Sequence, residues 1–302
     1  MVFKKVLTKY FTLIFNSNRT LTEKLRTLFS LITTKAKKVS DLRIVIVTKP
    51  PRFSGWGITS NHRLPWDSKS SDETGLKFIK ANAMLLDRLN TGEVIYGGGY
   101  ESDGYENLLR SLSWRHYICY WTAKFAAEHT QTKKVNIVEA GVWYGMSVTY
   151  AISALQDSLG VNSNFEAFLY DAWEGMKEEN LTANEKSSRG KYSYLSMEQA
   201  QNNLRSVSPN CTFIKGHIPE ILSTRPGPSE LSWLHIDLNS SIPTLRTLEH
   251  FVPRLLSGGL VLFDDYAHWG FKETRKVADE YCKQVNGLLL PLPTGQAIFF
   301  KH

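Results

Sequence analysis

Two short apolar runs that end in carboxylates constrain this chain more than any other feature. They are Leu231-Ser232-Trp233-Leu234-His235-Ile236-Asp237 and Gly258-Gly259-Leu260-Val261-Leu262-Phe263-Asp264-Asp265-Tyr266. Each is too short for a helix and apolar without alternation, so each reads as a strand buried on both faces of a parallel sheet. The segment between them carries a helical pattern from Pro243 to Leu256, which makes a βαβ crossover. Both strands then run the same way, and Asp237, Asp264 and Asp265 arrive together at the carboxyl edge, where open α/β sheets bind ligands. If the strands are neighbours, about 4.8 Å apart, the three acids converge on a small volume. So much negative charge calls for a cation, and an all-oxygen donor set suits a hard ion such as Mg²⁺. The plainer reading is that strand-end aspartates cap the helices that follow them.

An alternation of strands and helices starts at Lys134, the pattern of a sheet covered on both faces. Its first unit, Val135 to Ser147, has the layout strand, glycine turn, helix, with Gly141 and Gly145 in the turn and Ser147 at the helix start. Glycine lets backbone come close to a ligand, and a helix start offers free N–H groups. The next strand, from Phe165, ends in Asp171, placed to accept hydrogen bonds from ribose hydroxyls, and Trp173 could stack on an adenine. Lys177 to Lys191 reads as a mobile charged loop near the substrate mouth. Helix Ser196 to Ser206 leads to strand Cys211 to Lys215, with Gly216 and His217 at its end. The chain finishes with a turn and a final strand within Leu288 to Phe300.

Upstream, Glu73 to Leu89 and Leu108 to Ala127 read as helices, the second rich in Trp and Tyr that serve as core. Arg43 to Thr48 reads as a strand stopped by Pro50-Pro51, and Arg52 to Asp72 as a long loop, either a lid or plugged onto the core by its aromatics. Gly97 to Gly99 lacks a strand-to-helix context and reads as a hinge. The charge is unevenly placed. Residues 1–40 hold nine Lys/Arg against the single acid Glu23, whereas residues 41–302 hold 27 basic and 28 acidic groups. The body is therefore no electrostatic nucleic-acid binder. With apolar positions at helical spacing, residues 1–40 suit an anionic membrane surface, a packing role on the main domain or a second subunit, or a disordered tail. Three scattered cysteines make neither a disulfide framework nor a zinc site and fit a reducing, cytoplasmic location, with peripheral membrane contact through residues 1–40. No apolar segment approaches the roughly 20 residues that cross a bilayer.

Five segments in order and spacing, Glu139-Ala140-Gly141-Val142-Trp143, Asp171-Ala172-Trp173-Glu174-Gly175-Met176, Leu234-His235-Ile236-Asp237-Leu238, Phe263-Asp264-Asp265-Tyr266 and Pro293-Thr294-Gly295-Gln296, resemble the macrocin O-methyltransferase family. The resemblance covers residues 105–302 and leaves 1–40 as a tail and 41–104 as an extension and lid. It implies a class I methyltransferase sheet of seven strands with the last antiparallel, and S-adenosylmethionine at Glu139, Gly141, Asp171 and the segment around Gly216. It also implies Mg²⁺ on Asp237, Asp264 and Asp265, a saccharide acceptor, and self-association. Asn239-Ser240-Ser241 stands where that family has an acid and an aromatic, and Met146 where a second glycine is common. As base for an acceptor hydroxyl, Asp237 leads and His268 is the alternative, while His235, inside a buried strand, reads as a core histidine. The competing readings are an NAD-type oxidoreductase, opposed by the missing third glycine, and a non-catalytic membrane-associated scaffold, opposed by the intact acidic triad.

Overall fold

The computed structural model describes residues 64–66, 72–97, 104–160, 164–268 and 270–301. The expectations for residues 1–40, for Arg43 to Thr48 and for most of Arg52 to Asp72 lie outside them. Within them the strands are β1 (Val135–Ala140), β2 (Phe165–Asp171), β3 (Cys211–Lys215), β4 (Leu231–Ile236), β5 (Leu255–Phe263), β6 (Leu288–Pro291) and β7 (Ala297–Phe300). They form one sheet in the order β3-β2-β1-β4-β5-β7-β6. The first five strands are parallel, and β7 runs against both of its neighbours. This is the expected class I methyltransferase sheet. It is not the all-parallel 3-2-1-4-5-6 order of dinucleotide-binding domains, which leaves the oxidoreductase reading without support.

Alternation along each strand sends side chains to two separate cores. Ile137, Trp233, Leu260 and Leu262 join one core with helices α1 (Glu73–Asn90), α2 (Tyr105–His129), α3 (Met146–Leu159) and α4 (Met197–Leu204). Val138, Leu234, Ile236, Val261 and Phe263 join the other with α5 (Glu220–Thr224), α6 (Ser241–Phe251) and α7 (Lys272–Gln284). Apolar residues on both faces are what makes β4 read as an unbroken hydrophobic run, and every residue of it is buried.

Three expectations need correction. The crossover helix ends at Phe251, and after a 3-10 turn at Val252–Arg254 the strand has already begun at Leu255, earlier than the apolar run suggested. Gly258 and Gly259 therefore lie inside β5, where an added Cβ would meet His129 O at 2.4 Å and Ser232 O at 2.7 Å respectively. Leu288–Pro291 is a strand in its own right, paired antiparallel with β7. Finally, the Lys177 to Lys191 segment is ordered rather than loose. The buried Glu185 carboxylate accepts from the Ser241 N–H (2.7 Å) and hydroxyl (2.9 Å) at the start of α6 and from the Thr182 N–H (2.9 Å). The plug reading of the upstream loop holds at Trp66, whose ring lies 4.8 Å from Trp114 and 5.3 Å from Phe78 and Tyr117.

Because one buried carboxylate satisfies donors on both the loop and α6, Glu185→Ala is expected to lower the unfolding free energy by about 1–3 kcal/mol. Urea denaturation reads the loss, and limited proteolysis should show new cleavage between residues 177 and 195.

Candidate active site

The carboxyl edge of the sheet is built by backbone bonds that tie each strand end to the next. The Gly141 N–H donates to Tyr170 O (2.8 Å), the Gly216 N–H to Asp171 O (3.0 Å), the Asp237 N–H to Ala140 O (2.8 Å) and the Asp264 N–H to Ile236 O (3.0 Å). The ends of β3, β2, β1, β4 and β5 thus form one continuous rim. The sequence order reverses between β1 and β4, the place where such sheets hold ligands. Gly141 has a φ of +89°, and an added Cβ would sit 1.9 Å from Asp237 O. The close approach that requires glycine here is to the end of β4, not only to a ligand.

The turn after β1 is clamped from β2. Asp171 Oδ2 accepts from the N–H groups of Val142 (2.8 Å) and Trp143 (2.9 Å), and Oδ1 from Trp173 (2.7 Å). Burial raises the Asp171 carboxyl above its ordinary value, and these N–H donors work the other way. The residue stands at the predicted place with its oxygens already engaged on the turn. Trp173 is 3% exposed and its indole N–H donates to Trp143 O (2.9 Å), so its ring is packed, not displayed for stacking. Gly145 (φ +87°) opens α3, and Ser147 is buried in the first turn of that helix. His217 pairs with Glu174 at 2.6 Å.

Asp237, Asp264 and Asp265 come together as expected: each offers an oxygen, and these lie within 4.8 Å of one another. A cation the sequence reading overlooked is already among them. Arg115 of α2 donates through Nε to both oxygens of Asp264 (2.9 and 3.0 Å) and through Nη2 to Asp237 Oδ2 (2.8 Å). Asn239 Nδ2 donates to Asp237 Oδ1 (3.2 Å), Asn239 Oδ1 accepts from the Tyr192 hydroxyl (3.1 Å), and the buried Gln296 donates to Asp264 Oδ1 (3.0 Å). Arg115 had a sequence signal after all. It falls on the core-facing stripe of α2 made by buried Leu108, Cys119, Thr122 and Ala126 and half-buried Leu112, where a lone charge demands a partner.

Behind the cluster lies His235, which is fully buried and makes a 2.7 Å bond from Nδ1 to Glu139 Oε1. Its Nε2 is 3.7 Å from Asp264, an ion pair too long for a hydrogen bond. Burial opposes a charged ring, but Asp264 and Glu139 outweigh it and push the imidazole up to about 10. The core histidine is therefore a charged link between the β1 end and the aspartates. Burial likewise opposes ionisation of Asp264, yet Arg115 and His235 hold it well below the carboxylate range. Burial and then the charges of Asp237 and Asp264 push Asp265 up to about 9, and burial with Asp264 raises Asp237. His268 does not join them. It is exposed, its Nδ1 accepts from the Gly270 N–H (3.1 Å), and its ring lies 4.8 Å from that of Phe271.

Two buried atoms test whether the absent groups fit. Glu139 Oε2, at the end of β1, and Asp265 Oδ2, in the cluster, have no hydrogen-bond partner. Such acceptors await a donor or a cation. The first fits a cofactor amino group beside the glycine turn, and the second fits a metal ion. Among the described residues no helix is long and apolar enough to cross a membrane.

Residues 138–266 match the family model described as a methyltransferase domain. The O-methyltransferase NovP has a similar structure, with 17% identity, a TM-score of 0.61, and coverage of 76% of this chain and 99% of that chain. The calicheamicin methyltransferase CalS11 is 15% identical over 82% of this chain and 98% of its own, with a TM-score of 0.47. An O-methyltransferase from Bacillus cereus, solved with SAH, is 9% identical over 75% and 91%, with a TM-score of 0.42. No curated protein matches the chain. The chain has the class I methyltransferase fold, with residues 138–266 similar to a methyltransferase domain.

The electrostatics set a pH dependence. Asp265 keeps a proton up to about pH 9 in the folded protein, while the unfolded carboxyl loses it near 3.8. Over that window the unfolded chain binds fewer protons, so this group's contribution to stability falls as pH rises. Asp265→Asn has no proton to shed. Its stability relative to the parent should therefore grow between about pH 5 and about pH 8.5 in chelating buffer, as read by urea denaturation.

Proposed function

We propose that this protein is an S-adenosylmethionine-dependent O-methyltransferase acting on a hydroxyl of a sugar or glycosylated small molecule, with Mg²⁺ held at Asp237, Asp264 and Asp265. The observation that carries this reading is the placement of three convergent carboxylates beside the glycine turn, at the switch point of the sheet, within the methyltransferase domain. A sulfonium methyl is the electrophile that the cofactor supplies when bound. The saccharide follows from the motif resemblance.

In-line displacement depends above all on alignment. Glu139, Gly141, Gly145, Ser147, Asp171, Gly216 and His217 lie along or next to the rim that would seat the cofactor. Asp171 fixes the turn after β1, and the unpartnered Glu139 Oε2 offers an acceptor at its start. On the acceptor side, Asp237 is the base of choice. Burial and the charge of Asp264 make it a stronger base than an ordinary carboxylate, and Asn239 and Arg115 hold its two oxygens. A divalent ion on the aspartates would orient the hydroxyl and make it more acidic. His268 has no such support, because its Nδ1 is committed to its own turn.

Asp237→Asn is expected to lower kcat by at least about 10²-fold, the usual contribution of a general base. Its affinity for S-adenosylhomocysteine, read by isothermal titration, should change little. Asp171→Ala should weaken that affinity, because the turn after β1 loses two bonds to that carboxylate and the turn after β2 loses one. Full turnover after exhaustive chelation would remove Mg²⁺ from the reading, and no methyl transfer to any glycoside in a panel would remove the saccharide.

A further inference from the structure

Three contacts fix the register of α2 against β4. Thr130 Oγ1 donates to Ser232 Oγ (2.8 Å), Trp233 Nε1 donates to Thr122 Oγ1 (3.0 Å), and Arg115 Nη2 donates to Asp237 Oδ2 (2.8 Å). Residue numbers fall along the helix as they rise along the strand, so the two elements are antiparallel and Arg115 meets the strand end. Its side chain is about a quarter exposed, at 26%, and Gln296 Nε2 reaches the Arg115 carbonyl at 3.4 Å. Arg115 is thus held in place by its helix as well as by its partners.

All four oxygens of Asp237 and Asp264 already receive N–H donors. Arg115 serves both oxygens of Asp264 and one of Asp237, Asn239 serves the other oxygen of Asp237, and Gln296 adds a second bond to Asp264 Oδ1. A divalent ion takes oxygens at about 2.1 Å in a near-octahedral shell. To gather an oxygen from Asp264 it must draw on an atom that Arg115 holds, from Asp237 on one held by Arg115 or Asn239, and it must place its own charge beside a guanidinium.

We propose that Arg115 is the resident cation of the acidic cluster, a positioning residue that holds Asp237 and Asp264 in one geometry and competes with a divalent ion for their oxygens. This inference rests on the reading of the three aspartates as a cation site and is independent of which acceptor is methylated. Arginine suits the task because its planar fork spans two carboxylates, whereas a lysine ammonium is a point charge that cannot hold both in one plane.

The test is Mn²⁺ binding to the full chain, followed by the electron paramagnetic resonance signal of the free ion, for the parent, Arg115→Met and Arg115→Lys. Competition predicts that Arg115→Met binds Mn²⁺ at least about tenfold more tightly than the parent, with Arg115→Lys in between. It also predicts that Mn²⁺ raises the Tm of Arg115→Met by more than that of the parent. A purely structural arginine gives the opposite sign, since freed aspartates drift apart and bind the ion less well. Equal or weaker Mn²⁺ binding in the variants overturns the proposal. If Arg115→Met does not fold, Arg115→Lys decides alone: tighter binding supports competition, and equal or weaker binding overturns it. No Mn²⁺ binding by any of the three overturns both the competition and the cation half of the functional reading. Methyl transfer by chelated protein tests the rest separately.

Discussion

Repulsion among three carboxylates at the ends of two adjacent strands is the constraint around which the carboxyl edge is arranged. With oxygens within 4.8 Å of one another, each pair of ionised groups costs roughly 3 kcal/mol at the effective dielectric of a protein. The parallel pairing of β4 with β5 leaves no way to separate them, because Ile236 and Phe263 are register partners and the aspartates follow directly. The fold answers with Arg115 from the next layer, a charged His235 beneath, and a proton retained on Asp265. The length and register of α2 thereby become part of the site, although that helix lies outside the matched domain.

The other half of the edge is arranged by hydrogen bonds rather than charge. Asp171 ties β2 to the turn after β1, and the Asp237 N–H ties β4 to the end of β1. Glu139 and His235 lie opposite each other in the β1–β4 register and are bonded through their side chains. The glycine turn and the acidic cluster are consequently joined by a buried chain from Glu139 through His235 to Asp264. Glu139 Oε2 and His235 Nε2 in this chain make no hydrogen bond, the latter having only its longer ion pair with Asp264. Glu185 serves the rim from outside, holding the segment before α4 against the start of α6.

Much of this was legible in the sequence. Buried parallel strands give unbroken apolar runs, so β4 and the end of β5 could be read directly, and their aspartates with them. The glycine turn and Asp171 were legible because a strand, a turn residue and a helix start occur in fixed succession. The beginning of β5 was not, since Gly258 and Gly259 suggest a break, whereas the structure uses them to let β5 pass His129 and Ser232. The order of the Lys177 to Lys191 segment was hidden because one buried glutamate in a charged stretch looks like any surface acid. His235 was correctly placed in the core, but its charge depends on Glu139 and Asp264, which are far away in sequence.

Local patterning determined the layered α/β class and brought Asp237, Asp264 and Asp265 to one sheet edge, while the count of seven strands and the antiparallel last one came from the family resemblance. Hydrophobic period and strand-end chemistry are properties of neighbouring residues, so the chain displays them without being folded. Only the tertiary structure decided that Arg115 fills the cluster, that Asp171 is engaged on the turn, and that Trp173 is packed while His268 stands apart. Those outcomes depend on which distant side chain reaches a given oxygen first, a matter of helix register against the sheet that no stretch of sequence contains.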